Sequence, residues 1–233
     1  MSYREHAPAT ALAPWLACAW ERRGDGGAPV RVVPDGCIDI VWTEGVGTQV
    51  VGPNTTAFLV TLPAGARVAG VRMRPGAGAA LLGVDAAALR DGQVALADVW
   101  HDDGRRLAER LDEAEDRVGA LLAALLARAP QTSAPDALVS AAVQRLQDPR
   151  ARVQTLAHEL DVSARQLRRR FESAVGYGPK RLGRVLRLER ALDAARGGEE
   201  LAQAAAGAGY VDHAHFAHDC RALAGVPPSA LLV

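Results

Sequence analysis

Basic and amide side chains are concentrated between positions 165 and 170, where their types and spacing suit contact with DNA. They are Arg165, Gln166, Arg168, Arg169 and Arg170. They surround Leu167 and Phe171, an apolar pair four residues apart that would share one face of a helix. A guanidinium group can donate two hydrogen bonds to guanine O6 and N7, or clamp a phosphate. The pattern therefore predicts a helix that buries the apolar pair and presents arginine to the bases.

A second polar segment, near the C-terminus, carries histidine in place of arginine. Its candidate contact residues are Asp212, His213, Ala214, His215 and His218. Neutral imidazole can bond base edges or phosphates, although more weakly than arginine does. On a helix only His215 and His218 share a face, so the histidines and Cys220 make a poor zinc site and no metal is expected. The segment either reads bases or positions the protein with few base contacts.

Polar residues held between apolar ones in the N-terminal half are candidates for an effector pocket. They are Asp39, Trp42, Arg72 and Arg74. Arg72 and Arg74 would share a face of a strand and could bind an anionic effector, whereas pairing of Arg72 with Asp39 would be purely structural. Cys37, on the same predicted strand as Asp39, is either a small buried side chain or a reactive thiol.

The elements that must position these residues change character along the chain. Short β-rich runs broken by Gly and Pro predict strands over 30–33, 37–42, 49–51, 58–62 and 67–73, with 13–21 as a further candidate. Helical patterns predict helices over 136–147, 153–160, 164–174, 179–196, 200–208 and 212–224. The segment 129–135 is the predicted linker. The fold class is therefore α+β, with a small β-sandwich or barrel-like domain followed by an all-α domain.

Residues 105–128 show a heptad seam, with apolar residues alternately four and three positions apart. The seam consists of Leu107, Leu111, Ala114, Val118, Leu121 and Leu125. It predicts one long helix. That helix either packs on its own β domain or pairs with a second copy of the chain.

The helical region contains an internal repeat. A shift of 49 residues aligns Ser163 with Asp212, Leu167 with Phe216 and Gly176 with Gly225. In each copy a short helix ends in a tight turn, and a Ser or Asp then caps the next helix by accepting bonds from its free N–H groups. That next helix buries an apolar pair at positions i and i+4. Each copy has the pattern of a helix-turn-helix.

Local charge and helix length both favour DNA contact by the two copies. Residues 151–196 contain 11 Lys or Arg against 5 Asp or Glu, although the whole chain balances at 27 against 27. That balance argues against a non-specific binder, whose affinity would come from neutralising phosphates. The joining helix 179–196 would be about 27 Å long at the usual rise per residue. Successive major grooves lie ~34 Å apart, so the two second helices could enter successive grooves.

Composition excludes several other classes of protein. Hydrophobic residues make up 49% of the chain and charged residues 23%, which is typical of a globular protein. Three scattered cysteines do not form a disulfide framework. There is no signal peptide and no apolar run of ~18 residues, so we expect a cytoplasmic protein without a membrane segment. No nucleophile elbow, phosphate loop or zinc-protease helix is present, so neither an enzyme nor a cofactor is expected.

Residues 136–233 resemble the double helix-turn-helix DNA-binding domain of the AraC/XylS family of bacterial transcription regulators. The matching residues are Leu156-Ala157, Val162-Ser163, Leu167, Phe171, Gly176, Arg187, Ala191, Gly209-Tyr210, His215-Phe216 and Gly225-Val226-Pro227-Pro228. The resemblance implies that the major groove is faced by Arg165, Arg168 and Arg169, and by His213, Ala214, His215 and His218. Cys220 departs from the family's usual large aromatic residue, and 204–208 is unusually small. These departures predict that the second unit is either loosely packed or contributes less specificity.

The N-terminal half resembles a domain of unassigned function that precedes this DNA-binding domain in some bacterial regulators. The resemblance rests on Pro34-Asp35-Gly36-Cys37-Ile38-Asp39-Ile40, Val51-Gly52-Pro53 and Gly70-Val71-Arg72-Met73-Arg74-Pro75-Gly76. In the AraC/XylS family generally, a cupin-like β domain binds a small effector and mediates dimerisation. The resemblance therefore implies effector sensing, dimerisation or both for residues 1–130.

The main hypothesis is a one-component transcription regulator with an N-terminal domain over 1–130 and a DNA-binding domain over 136–233. Its expected partner is double-stranded operator DNA, and further candidates are a small-molecule effector, RNA polymerase and a second copy of the chain. The alternative hypothesis is a thiol-reactive sensor, or an alkyl acceptor linked to DNA repair, that uses Cys37. Replacement of Cys37 by Ser would separate the two, since only the alternative needs the thiol.

Overall fold

The N-terminal part of the chain is built on an antiparallel β-sheet. In the computed structural model, which describes residues 2–231, the strands are β1 Ser2–His6, β2 Leu16–Arg23, β3 Val30–Val32, β4 Ile38–Thr43, β5 Gly47–Val51, β6 Phe58–Val60, β7 Arg67–Met73 and β8 Gln93–Ala95. Six of these strands form one sheet in the order β1-β2-β7-β4-β5-β8, and β3 pairs with β6 in a separate two-stranded sheet. The predicted α+β class is confirmed, because this β-rich part precedes an all-helical one.

All the strands predicted between positions 30 and 73 are present, and the candidate over 13–21 forms β2. The prediction missed β1 and β8, which are the two edge strands of the larger sheet. The β1 segment, Ser-Tyr-Arg-Glu-His, has no apolar alternation, and β8 has only three residues. An edge strand of this kind is held by backbone pairing on one side, so its side chains carry little periodic signal.

One face of the sheet carries the N-terminal hydrophobic core. Along β4, Ile38, Ile40 and Trp42 are buried in this core, because successive side chains of a strand point to opposite faces. Asp39 and Arg72 lie on the other face, where they are bonded to each other. The helices that cover the core face are α1 Gly78–Leu82, α2 Ala86–Leu89, α3 Leu96–Glu113 and α4 Arg117–Arg128.

The single helix predicted over 105–128 is wrong. The structure has two helices, α3 and α4, and Asp116 starts the second by accepting a hydrogen bond from the Gly119 N–H at 2.8 Å. Aspartate favours this capping position over a helix interior, which explains the break. Four seam residues lie in the N-terminal core: Leu107, Leu111, Leu121 and Leu125. The seam therefore packs on its own β domain and is not available to pair with a second copy.

The helices predicted in the C-terminal part are all present within the described residues. They are α5 Ala137–Leu146, α6 Leu156–Glu159, α7 Ala164–Val175, α8 Pro179–Arg196, α9 Leu201–Gly207 and α10 His213–Asp219. The α6 helix is shorter than the predicted 153–160. The predicted helix 212–224 divides into α10 and a π-helical turn, Cys220–Ala224. The first unit, α6 and α7, and the second unit, α9 and α10, are the two copies of the repeat.

The long helix α8 belongs to two hydrophobic cores. Leu182 packs in the core of the first unit, around Phe171 of α7. Leu192 packs in the core of the second unit, around Phe216 of α10, where Cys220 is also fully buried. Because one continuous helix contributes to both cores, it sets the separation of the two units.

The N-terminal part is docked against the C-terminal ends of α7 and α10, the second helices of the two units, which correspond to the recognition helices of a helix-turn-helix. Arg90 Nη1 donates to the carbonyl of Gly176 at 3.1 Å, just after α7. Arg31 Nη1 donates to the carbonyl of Ala224 at 2.9 Å, at the end of the π-helical turn that continues α10. Gly176 has a φ of +90°, and a Cβ there would approach Pro53 Cγ to 2.6 Å. Only glycine therefore fits this junction without displacing the neighbouring chain.

No helix in the part of the chain that the structure describes is long and apolar enough to cross a membrane. Met1, Leu232 and Val233 belong to the predicted domains 1–130 and 136–233 but lie outside the described residues.

Candidate nucleic-acid interface

The first recognition helix, α7, begins with a capping box. Ser163 Oγ accepts a hydrogen bond from the Gln166 N–H at 3.2 Å, and Gln166 Oε1 accepts one from the Ser163 N–H at 3.0 Å. Such a reciprocal pair satisfies backbone donors that the helix itself cannot pair. It occupies the carbonyl oxygen of the Gln166 side chain, so the amide nitrogen is the polar group that this exposed side chain presents to solvent.

Three of the predicted contact arginines project from α7 into solvent. They are Arg165, Arg168 and Arg169, all exposed. Arg168 Nε donates to Glu172 Oε1 at 2.8 Å, one helical turn along. Arg170 behaves differently, because it donates to both carboxylate oxygens of Asp136, at 2.6 and 2.8 Å. Asp136 caps α5, so Arg170 ties α5 to α7 and does not belong to the surface left free for DNA.

The second recognition helix, α10, presents its histidines in two ways. His213, Ala214 and His218 are exposed. Asp212 caps the helix by accepting a hydrogen bond from the His215 N–H at 2.7 Å. The His215 ring itself is half-buried, in edge contact with Tyr210 at 5.0 Å between ring centres and 3.3 Å from Arg187 Nη1. No group of three or more His, Cys, Asp or Glu within residues 2–231 is arranged to hold a metal ion.

An ion pair joins α10 to α8. Arg184 donates to Asp219 Oδ1 from both Nε and Nη2, at 2.9 and 2.7 Å, and the Tyr210 hydroxyl donates to Asp219 Oδ2 at 3.3 Å. Burial, followed by the Asp219 charge, raises the pKa of Tyr210, so this hydroxyl keeps its proton. Sequence reasoning missed Arg184 and Asp219. The one signal is that Asp219 is a charged residue inside the apolar stripe that runs from Phe216 to Cys220.

Two of the four predicted effector residues, Asp39 and Arg72, form a polar group on the face of the sheet opposite the hydrophobic core. Arg72 donates to Asp39 at 3.4 Å and lies 3.3 Å from the carboxylate of Asp35. Burial raises the pKa of Asp39 to about 6, even though the charge of Arg72 acts in the opposite direction. The structural pairing considered for Arg72 is thus present.

The other two predicted effector residues lie elsewhere. Arg74 Nε donates to the carbonyl of Ala13 at 2.9 Å. The grouping of Trp42 with this set is wrong, because its even position on β4 turns it into the hydrophobic core. There its indole donates to Asp112 at 2.7 Å and its ring packs 4.0 Å from the guanidinium carbon of Arg117.

Arg72 and Arg74 line a cleft of about 860 Å³ between the sheet and the C-terminal part. Across it lie Ser140 and Gln144 of α5 and Glu189 of α8. Burial, with a smaller contribution from Asp35, raises the pKa of Glu189 to about 7. Any occupant of this cleft would contact both parts of the chain at once.

The structure argues against a reactive thiol at Cys37. Burial raises the pKa of Cys37 well above its usual value, and the nearby carboxylates of Asp35 and Asp39 raise it further. Because the thiolate is the nucleophile, a thiol held in its protonated form reacts slowly. The half-buried side chain lies with its sulfur 3.9 Å from the Asp35 carbonyl, as a small packing residue.

Comparison with known protein families divides the chain in two. Residues 4–95 match a family described as Domain of unknown function (DUF6597). Residues 156–232 match a family described as Helix-turn-helix domain. No curated protein matches the chain significantly.

Solved structures with the same overall fold include two of ToxT from Vibrio cholerae. The structure of ToxT from strain O395 is 14% identical, with a TM-score of 0.50 over 92% of this chain and 96% of that one. An apo variant of ToxT from strain SCE256 is 13% identical, with a TM-score of 0.53 over 97% of this chain and 98% of that one. At such low identity the similarity concerns the fold alone.

Proposed function

We propose that this chain is a DNA-binding transcription regulator of the AraC type, which binds a specific operator through two recognition helices in successive major grooves. The helix-turn-helix domain matched over residues 156–232 supports this proposal. The observation that carries this proposal is the pair of capped helices, α7 and α10, held on the single helix α8. Each begins with a side-chain cap and presents an exposed polar face. One copy of the chain carries both reading elements.

The length of α8 supports the placement in successive grooves. Its 18 residues span about 27 Å at 1.5 Å per residue. Successive major grooves on one side of B-DNA are about 34 Å apart. Leu182 of α8 packs in the core of the first unit and Leu192 in that of the second, so this one helix fixes how α7 and α10 are placed relative to each other.

The two recognition helices are proposed to contribute unequally. The α7 helix offers Arg165, Arg168 and Arg169, whose forked guanidinium groups suit guanine. The α10 helix offers His213 and His218, which are weaker donors. We therefore expect the half of the operator under α7 to be the more strictly specified.

The N-terminal domain is proposed to sense a small molecule in the cleft lined by Arg72 and Arg74. An occupant there would touch the sheet, α5 and α8 together, so its binding energy would depend on how the two parts are arranged. Arg74 is exposed, and within residues 2–231 its guanidinium donates to the neutral carbonyl of Ala13 and forms no ion pair, so its positive charge is available to an anionic group in the cleft.

The experiment that tests the function is selection of a random DNA duplex library by the full chain, followed by binding measurements at two salt concentrations. Enrichment of a site with two fixed segments about one helical turn apart supports the proposal. Enrichment of only the α7 segment reduces α10 to a positioning role. Equal binding to all duplexes, with affinity falling steeply as salt rises, contradicts it.

A further inference from the structure

A basic groove borders the first recognition helix and includes a residue from the N-terminal domain. It has a volume of about 670 Å³ and lies between α6, α7 and the beginning of α8. Its basic lining residues are Arg90, Arg168, Lys180, Arg181 and Arg184, and its acidic lining residue is Glu172. Arg90 follows α2 and is the one lining residue contributed by the N-terminal domain.

Much of the positive charge in this groove is not neutralised. Arg168 is paired with Glu172, and Arg184 is paired with Asp219. Arg181 donates to the carbonyl of Thr55 at 2.8 Å and Arg90 to that of Gly176, and both carbonyls are uncharged. Lys180 is exposed and has no ion pair among the described residues. Arg90, Lys180 and Arg181 therefore remain available to an anion.

The direction of α8 adds to this positive potential. The helix begins at Pro179, which has no N–H group, and the N–H groups of Arg181 and Leu182 both bond to the carbonyl of Gly178. The positive end of the dipole of an 18-residue helix thus lies at the groove. The basic side chains and the helix terminus favour the same kind of ligand, one that carries closely spaced negative charges.

The position of the groove identifies that ligand. Arg168 belongs both to the face of α7 that is proposed to read bases and to the lining of the groove. A strand whose bases are contacted by α7 therefore brings its own phosphates to this border. We propose that the groove binds the DNA backbone and that Arg90 makes a phosphate contact from the N-terminal domain, so that the DNA interface extends over both domains. This inference rests on the proposed function.

The hydrogen bond from Arg90 to the Gly176 carbonyl holds the Arg90 side chain in position for a phosphate contact. One nitrogen of the guanidinium is held by the carbonyl at the end of α7, while the side chain as a whole remains exposed. The phosphate contact exists only while the N-terminal domain is docked on α7. DNA binding and domain docking therefore favour each other, in the sense that each lowers the free energy of the other.

The test uses the full chain and the operator obtained by selection, with affinity measured over a range of salt concentrations. Arg90→Gln removes the charge but keeps a donor for the Gly176 carbonyl, and Arg90→Ala removes both. For both variants we expect a roughly tenfold loss of affinity, as for one charge-assisted hydrogen bond. The slope of log K against log salt should become shallower by about 0.9, the value for one phosphate. The loss should be equal for operator and non-operator DNA.

Arg31→Gln is the matched control, because it removes one charge and weakens the other arginine contact between the domains, at Ala224, away from the groove. Its salt slope should equal that of the wild-type chain. A wild-type slope in both Arg90 variants would overturn the inference while leaving the proposed function intact. An equal change in the Arg31 and Arg90 variants would also overturn it, since domain docking alone would then explain the effect. Absence of DNA binding by the wild-type chain would contradict both proposals.

Discussion

Arg184 of α8 and Asp219 of α10 form an ion pair 2.7 Å long, and the Asp219 side chain is only 2% exposed. The same carboxylate accepts the hydroxyl of Tyr210, which lies in the turn between α9 and α10. One buried carboxylate thus joins α8, the turn between α9 and α10, and α10 itself. The orientation of α10 relative to α7 depends on this contact as well as on apolar packing.

Asp219→Ala should therefore destabilise the fold. The substitution leaves the Arg184 guanidinium without its charge partner and removes the acceptor of the Tyr210 hydroxyl. We expect a loss of about 3 kcal/mol in the free energy of unfolding, measured by urea denaturation. Asp193→Ala is the control, because the Asp193–Arg196 pair is exposed on both sides and should contribute less than about 0.5 kcal/mol. Equal losses in the two variants would show that the buried pair has no special role.

Replacement of Arg168 and Arg169 together by Ala should strongly reduce sequence preference without unfolding the protein. Both side chains are exposed, so their removal creates no cavity. A good bidentate contact discriminates against the wrong base by about 1–3 kcal/mol, so the ratio of operator to random-sequence affinity should fall roughly a hundredfold. Gel-shift titration of both DNAs measures this ratio.

The control for that experiment is the double replacement of Arg105 and Arg106 by Ala. These arginines are also exposed and adjacent, and each pairs with an aspartate of α3. The control should keep the wild-type affinity ratio. Retained operator selectivity in the Arg168 and Arg169 variant would remove α7 from the reading surface.

Glu189→Gln should change the dependence of stability on pH. The pKa of Glu189 in the folded chain is about 7, above its usual 4.5, so the folded state holds this proton more tightly than the unfolded state does. The stabilisation is complete below pH 4.5 and is lost as the pH rises through 7. Gln resembles the protonated carboxyl, so the variant should be more stable than the wild type by about 3 kcal/mol near pH 8.

Denaturation of the Glu189 variant at acid and at alkaline pH tests this directly. Near pH 4 the variant and the wild type should have about the same stability, because both then carry a neutral group. Glu109→Gln, at an exposed position of α3, is the matched control for the substitution itself. A constant difference between the Glu189 variant and the wild type at both pH values would indicate that the group does not titrate in this range.

Cys37 should react slowly with alkylating agents in the native chain. Its raised pKa keeps the thiol protonated at neutral pH, and the protonated form is a weak nucleophile. Mass spectrometry after timed treatment with iodoacetamide should show faster labelling in urea than in buffer. Cys37→Ser should leave DNA binding unchanged. Rapid native labelling, or loss of DNA binding in the Ser variant, would revive the thiol-based alternative.

The C-terminal helices could be predicted from sequence because their determinants are local. Ser163 and Asp212 cap helices within three residues of themselves, and Leu167 and Phe171 are separated by one turn. These interactions are encoded by short spacings, and the repeat presents the same spacings twice. The predictions that stay untested, such as the base contacts of His213 and His218, concern a partner that lies outside the chain.

The N-terminal part shows where local reasoning fails. The heptad spacing continues through the break at Asp116, because α3 and α4 both turn an apolar face to the same sheet. The sequence groups Trp42 with Asp39 as candidate effector residues because both are polar, yet alternation along β4 places their side chains on opposite faces of the sheet. In both cases the sequence pattern is present, but the segment against which each residue packs does not follow from that pattern.

The sequence by itself therefore determined the two helix-turn-helix units, their caps and the arginine-rich face of α7, since these depend on hydrogen bonds and packing between near neighbours in the chain. Only the tertiary structure decided that Arg184 meets Asp219, that Arg31 and Arg90 hold the ends of the recognition helices, and that a cleft separates the sheet from α8. Such contacts join residues far apart in sequence. Which residues meet in such contacts depends on how the whole chain packs, so the spacing of residues within one segment does not predict them.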